Sequence, residues 1–491
     1  MEELVLYNSL SRQKEPLTPL SNGVKVGLYV CGPTVYGPPH IGHARSAVVF
    51  DTLHRYLRFK GYKVLFVRNY TDVGHLEYDA DEGEDKIEKQ AIHEASSPYE
   101  ISQKYINIYR RDVELLGCLP PSIEPQATAF IQEQIDITRA LIRKGFAYVV
   151  NGSVYFDVGK YNEQYGDYGI LSGRKIENLY SYTRELRSQD EKKHSYDFAL
   201  WKKADDRHIM RWPSPWSDGF PGWHTECIAM STKFLGREFD IHGGGEDLKF
   251  PHHEAEIAQA RGVYGNRLAR IWMHNNLVNI NEQKMSKSLN NYITLNDLFW
   301  NKDNMLCANY APMVLRFLFL QTHYRSPISL SAASLEAARK GLTRIINAFF
   351  SLDNLTTTVT TTDNIQLQDK IFDTVKACFK ALDDDLNTAQ AIAHVSDLVN
   401  IINDFETNKI NIASISEDTF NKLKTNFTNI TCTILGLQRD IIDDKLKLIV
   451  KLYNNARNRQ DYSEVDLIRQ ELQQQHMMMC DFNDHSLLKK K

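Results

Sequence analysis

Leu28-Tyr29-Val30-Cys31-Gly32-Pro33-Thr34 leads into His40-Ile41-Gly42-His43, and this stretch decides the architecture. Leu28-Tyr29-Val30 reads as a short buried strand, followed by a Gly/Pro-rich turn that ends at His40. From Ala44 to Phe59, apolar residues recur at Ala47, Val48, Phe50, Leu53 and Leu57 among charged ones. That is the period of an amphipathic helix, with Gly61 as its stop. Val64-Leu65-Phe66-Val67 then reads as a second buried strand. Strand, helix, strand at this spacing is a βαβ unit and implies a parallel sheet covered by helices.

Farther along, residues 128–145 read as helix. Ala147-Tyr148-Val149-Val150 and Ser153-Val154-Tyr155-Phe156 flank Asn151-Gly152, a two-residue hairpin signal. An antiparallel hairpin inside a βαβ pattern marks an insertion. The pattern resumes near Phe239-Asp240-Ile241-His242, with a helix after Pro251 and a strand at Ile271-Trp272-Met273-His274. From Pro312 onward helical periodicity dominates. The fold class is therefore α/β: a Rossmann-like parallel-sheet domain with an inserted small subdomain, followed by a helical C-terminal region. The expected divisions are 1–127 and 221–311 for the two halves of the sheet domain, 128–220 for the insertion, 312–440 for a helical bundle and 441–491 for a small terminal segment. The charged tract 187–203 reads as surface and the Thr-rich 355–363 as a linker. Residues 445–472 read as a charged amphipathic helix, followed by a polar tail.

The chain of 491 residues is 42% hydrophobic and 24% charged, an ordinary globular composition. No apolar run approaches the length of a membrane span, and no basic-then-apolar leader opens the sequence. Seven scattered cysteines are not a disulfide framework and suggest a reducing, cytoplasmic setting. A net charge of −4 neither announces nor excludes a nucleic-acid partner.

His40-Ile41-Gly42-His43 lies at a helix start, where backbone N–H groups and the helix dipole favour an anion. Gly42 lets a base or phosphate approach the backbone, and both imidazoles can donate to phosphate oxygens. A turn with two solvated histidines explains the tetrapeptide alone equally well. Lys284-Met285-Ser286-Lys287-Ser288 suits a triphosphate, its lysines neutralising charge as pyrophosphate leaves. Alone, it reads as a solvated basic loop. Together, near the first and last strands, the two motifs would bracket one nucleotide at the sheet's C-terminal edge. His252 and Glu256 are i and i+4 on one helix face, but His253 and Glu256 at i and i+3 also share a face, so spacing leaves the histidine open. Cys31 and Cys227 lie in no Cys-x-x-Cys pair, and a metal site is a weak signal on spacing alone.

The paired signatures resemble those of class I aminoacyl-tRNA synthetases. Cys31-Gly32-Pro33-Thr34-Val35-Tyr36, Arg68-Asn69-Tyr70-Thr71-Asp72, Gly222-Trp223-His224-Thr225-Glu226-Cys227, Asp240-Ile241-His242-Gly243-Gly244-Gly245 and Pro251-His252-His253-Glu254 together resemble the cysteine-specific family, over residues 1 to about 440. The resemblance implies one Zn²⁺ per chain on Cys31, Cys227, His252 and Glu256, with Thr71, Trp223 and His242 enclosing the amino acid. It implies ATP with Mg²⁺, L-cysteine and tRNA(Cys) as partners, and a monomer away from any membrane. His40, His43, Lys284 and Lys287 would stabilise the phosphates. Gly42 and the run Gly243, Gly244, Gly245 would admit the nucleotide, with Asp247 on the ribose. Zinc binds thiolate well, at about 2.3 Å, so it could reject serine where an apolar pocket could not. Ala255 departs from the family's usual Asn. Lys445, Lys447, Lys451, Arg457, Arg459 and Arg469 would meet tRNA phosphates or simply face solvent. Rival readings are a cysteine ligase acting on an amino sugar, a small nucleotidyltransferase, and a non-catalytic zinc-stabilised RNA-binding protein.

Overall fold

The computed structural model describes residues 3–21, 23–74, 76, 85–175, 191–206, 208–285, 291–301, 306, 308–355, 364–438, 449, 452–457, 459–474, 477–481 and 486–490. The expected linker at 356–363, Lys287, and Lys445, Lys447 and Lys451 lie outside the described residues. Two compact units divide the chain. One holds Glu3–Asn309 with Tyr324–Ser329, and the other holds Tyr310–His323 and Leu330–Lys491 together with Met1–Glu2.

In the first unit, β1 (Lys25–Val30) runs through the turn into α1 (Ile41–Phe59) and returns as β2 (Lys63–Arg68). α2 (Pro98–Leu115) follows, then α3 (Ile131–Arg143). The insertion is a four-stranded antiparallel sheet: β3 (Ala147–Val150), β4 (Ser153–Phe156), β5 (Phe198–Lys203) and β6 (Gly219–Pro221), in that spatial order. Asn151 and Gly152 take the positive φ values, 52° and 91°, that a two-residue hairpin needs. The reading of 187–203 as surface requires correction. Phe198-Ala199-Leu200-Trp201 is buried in β5, an apolar run hidden among charged flanks.

The parallel sheet resumes through α4 (Trp223–Leu235), β7 (Phe239–Gly245), α5 (His252–Tyr264) and β8 (Ala269–Asn275). Its strand order is β8-β7-β1-β2, all parallel, with Leu28 opposite Ile241 and Val30 opposite Gly243. Near-continuous apolar strands are what a sheet covered on both faces requires. The carboxyl ends of these strands converge on Cys31, Asn69, Gly245 and Asn275, where open α/β sheets bind ligands. A short ribbon, β9 (Val278–Ile280) with β10 (Gln283–Lys284), then brings Lys284 to the same edge.

The second unit is built mainly from helices α6 (Pro312–Leu320), α7 (Ala332–Asn354), α8 (Ile365–Asp383), α9 (Thr388–Glu406) and α10 (Glu417–Thr428). Leu342, Ile371, Val395, Leu398 and Phe427 are buried there, and the Nε of fully buried Arg316 donates to the Leu435 carbonyl at 2.8 Å. After α11 (Tyr462–Gln474), the expected polar tail is instead an antiparallel pair of strands, Met477–Asp481 with Ser486–Lys490. Among the described residues no helix is long and apolar enough to cross a membrane.

Candidate active site

One cleft of about 550 Å³ opens at the strand ends, lined by the two regions that sequence reading singles out. Cys31, Thr71, Trp223, Cys227 and His252 line it, as do His40, Gly42, His43, Gly245, Asp247 and Lys284.

Three elements supply the cluster. Cys31 follows β1, Cys227 sits in the second turn of α4, and His252 and Glu256 share a face of α5. Their donor atoms all lie within 4.8 Å of one another. The separations are 3.5 Å for Cys31 Sγ to Cys227 Sγ and 3.6 Å for Cys31 Sγ to Glu256 Oε1. His252 Nε2 is 3.4 Å from Cys227 Sγ and 3.3 Å from Glu256 Oε1. A tetrahedral zinc with bonds of about 2.0–2.3 Å needs donors roughly 3.3–3.8 Å apart. These four of the six edges match that requirement, and the other two stay within 4.8 Å.

A second grouping, Cys31, His242, His253 and Glu256, is equally compact. Here His242 Nε2 approaches Glu256 Oε2 to 2.8 Å, a hydrogen bond and too close for a tetrahedral edge. His253 Nε2 lies 3.3 Å from Cys31 Sγ, while its Nδ1 meets His274 Nε2 at 2.8 Å. His252 lines the cleft and His253 does not. Geometry therefore favours His252 where spacing left two histidines open. Burial pushes the Cys31 and Cys227 thiols up, so a cation is needed to bring out their thiolates.

The surroundings orient these donors. His252 Nδ1 meets His224 Nδ1 at 3.2 Å, and the Trp223 ring stacks on His252 at 4.3 Å. Such outer partners fix which ring nitrogen faces a metal. His242 is fully buried, stacked on Trp272 at 4.3 Å, and therefore stands behind Glu256 rather than in the cleft. Thr71 donates to the buried Glu226 carboxyl at 2.8 Å. Ala255 is fully buried, and its carbonyl accepts from Gln259 Nε2 at 3.1 Å.

At the other end of the cleft, His40 is the N-cap of α1. Its Nδ1 accepts from Gly42 N at 3.0 Å, and His43 Nδ1 accepts from His40 N at 3.3 Å. With Nδ1 accepting, each ring proton sits on Nε2, which becomes a neutral donor. The rings stack at 3.7 Å, and burial lowers the His43 pKa to about 4. A Cβ on Gly42 would lie 2.8 Å from the His40 ring, so the glycine serves the cap as well as any ligand. Tyr292 meets His40 edge-on at 5.3 Å, and Asn291 Nδ2 donates to the Lys284 carbonyl at 2.9 Å. Lys284, the described start of the second motif, is thus tied to Asn291, whose neighbour Tyr292 meets His40.

The glycine run has a different explanation from the expected one. Gly243 and Gly244 do not line the cleft. A Cβ on Gly243 would sit 2.2 Å from the Phe50 ring, and one on Gly244 would sit 2.8 Å from that of His253. Those two glycines let α1 and α5 close on the sheet, and only Gly245 and exposed Asp247 face the cleft. Sequence reading also missed His224, His274 and Arg45, whose partners lie far away along the chain.

Comparison with known proteins agrees with this geometry. Residues 17–340 match the family described as "tRNA synthetases class I (C) catalytic domain", and residues 379–437 match the DALR domain. A cysteine–tRNA ligase from Bacteroides fragilis is 49% identical over 96% of this chain and 95% of its own length. Another from Deinococcus radiodurans is 42% identical over 98% and 95%. Among solved structures, Mycobacterium tuberculosis methionyl-tRNA synthetase with methionyl-adenylate superposes with a TM-score of 0.61 at 11% identity, covering 90% of this chain and 96% of that one. A LeuRS–tRNA–LeuAMS complex from Agrobacterium radiobacter K84 gives 0.62 at 12% identity, covering 86% and 85%. The fold is that of a class I synthetase, and the chain belongs to the cysteine–tRNA ligase family of that class.

Proposed function

We propose that this chain activates L-cysteine with ATP and then esterifies the 3′-terminal ribose of tRNA(Cys). One observation carries the reading: Cys31, Cys227 and His252, clustered with buried Glu256 within 4.8 Å of one another, line the same cleft as His40, His43 and Lys284. Cys31, Cys227, His252 and Glu256 would hold zinc, which when bound supplies affinity for a thiolate over a hydroxyl. Trp223 and Thr71 would flank the amino acid, with His242 acting on it only through Glu256.

In the first step a cysteine carboxylate oxygen attacks the α-phosphorus of ATP, carried with Mg²⁺, and pyrophosphate leaves. In the second a ribose hydroxyl attacks the activated carbonyl, and AMP leaves. No enzyme nucleophile is required; alignment and charge stabilisation supply the rate. His40 and His43 would donate from Nε2, with burial keeping His43 neutral. Lys284 would supply a positive charge as pyrophosphate forms, with Lys287 as its partner. Gly42, Gly245 and Asp247 would receive the nucleoside.

The divisions 1–127, 128–220, 221–311, 312–440 and 441–491 are proposed as functional parts: sheet domain, insertion, sheet domain, tRNA-binding bundle and terminal segment. A monomer in the cytoplasm completes the proposal, and cysteines 31, 118, 227, 378 and 432 outside any disulfide suit a reducing compartment. Relatives that run as tRNA ligases through the helical region favour a tRNA over an amino-sugar acceptor. Pyrophosphate exchange with cysteine and with serine, on zinc-loaded and chelated protein, tests the reading. Zinc-dependent exchange with cysteine alone is expected; equal exchange with serine, or none with cysteine, would overturn it.

A further inference from the structure

Arg45 sits on α1 two residues past His43, and it is 1% exposed. Its Nη1 donates to the Leu277 carbonyl at 2.6 Å. Its Nη2 donates to the carbonyls of Tyr324, at 3.3 Å, and Ser326. Burial brings its pKa down to about 10, which leaves it charged at neutral pH. Burying a guanidinium is costly unless its hydrogens are satisfied, and both Nη groups of Arg45 meet backbone oxygens, from two segments.

Those segments have a common purpose. Asn275, Asn276, Leu277 and Val278 form one wall of the cleft, across from Gly42 and His43. Asn276 N donates to the Tyr324 carbonyl at 2.8 Å, and Asn276 Nδ2 to that of Arg325 at 2.8 Å. Asn276 Oδ1 in turn accepts from Leu277 N at 2.7 Å, and the Leu277 carbonyl takes a second bond from Ile328 N at 3.2 Å. Val278 then begins the ribbon that ends at Lys284.

We propose that Arg45 is a positioning residue for the nucleotide: it locks the Asn275–Val278 wall, and through it Lys284, at a set distance from the helix that carries His40 and His43. The guanidinium bonds of Arg45 go to the backbone of Leu277, Tyr324 and Ser326, at the end of the cleft given to ATP, so its influence falls on ATP and not on cysteine. The inference deepens the proposed function and rests on ATP occupying this end of the cleft. A lysine keeps the charge but cannot fork to three carbonyls.

The test is pyrophosphate exchange with full-length, zinc-loaded Arg45→Lys and Asn276→Ala, varying ATP and cysteine separately. For Arg45→Lys we expect the KM for ATP to rise about tenfold while that for cysteine stays within about twofold and zinc content is unchanged. Asn276→Ala should shift the same constant, and the double variant should cost less than the product of the two singles, because both hold one turn. An unchanged KM for ATP, an equal rise for cysteine, a fully multiplicative double variant, or loss of zinc or of the folded state in Arg45→Lys would each overturn the inference. Absence of cysteine-dependent exchange in the unaltered chain would overturn the functional reading and this inference with it. Normal exchange in the unaltered chain with an unchanged ATP constant in Arg45→Lys overturns this inference alone.

Discussion

At the cluster end of the cleft, side chains hold side chains: His224 braces His252, His274 braces His253, and His242 braces Glu256. At the other end, backbone holds side chains: Gly42 N donates to His40 Nδ1, and His40 N donates to His43 Nδ1. The first arrangement is fully desolvated and spread over distant parts of the chain. The second is local and partly open. A site that must separate sulfur from oxygen gains from the first kind, because every electrostatic difference is larger out of water. A site that must accept and release a triphosphate gains from the second.

The largest effect that tests this contrast is Cys227→Ser. It should abolish stoichiometric zinc and lower kcat/KM for cysteine activation by more than about 100-fold, the upper range for lost outer partners of a metal site. Metal analysis beside exchange kinetics checks it; retained zinc with normal cysteine-over-serine preference would break the comparison. Next comes Lys284→Ala, expected to cut the rate of adenylate formation roughly 100-fold with near-normal cysteine binding. A defect confined to cysteine affinity would contradict the role given to that end.

His43 gives a pH test. Its folded pKa lies near 4, below the usual 6.5, so the unfolded chain binds more protons between those values. This residue's contribution to stability is full above about 6.5 and is lost as pH falls toward about 4. Denaturation of His43→Gln between pH 7 and 4.5 should therefore show a shallower loss than the unaltered protein; identical slopes would contradict the assigned burial. The smallest effect is expected from exposed Arg469, paired with Asp466 at 3.3 Å. Arg469→Ala should leave pyrophosphate exchange unchanged and weaken tRNA charging about twofold, with a lower salt dependence.

The sheet order was only partly legible, but its parts were. The βαβ unit and the Asn151-Gly152 hairpin announce themselves through local periodicity and turn chemistry, which act within a few residues. The candidate metal histidine was legible through the family motif but not through spacing, since i+3 and i+4 lie on one helical face. Only three-dimensional separations distinguish a 3.3 Å edge from a 2.8 Å hydrogen bond. Gly243 and Gly244 misled because a glycine run near a motif suggests a ligand, whereas Phe50 and His253 arrive from elsewhere to fill the space. The terminal strand pair was hidden because Met477-Met478-Met479 has neither alternation nor a turn signal.

His40 both begins α1 and faces the cleft. Alanine at this position would unwind the helix start and remove the ring donor together, so a dead variant would say little about chemistry. Asparagine or serine, which cap helices well, would keep the scaffold while deleting the imidazole. The motif's tolerance of substitution is thus limited by folding and, on the proposed function, a second time by catalysis, and a change acceptable to one demand still fails the other.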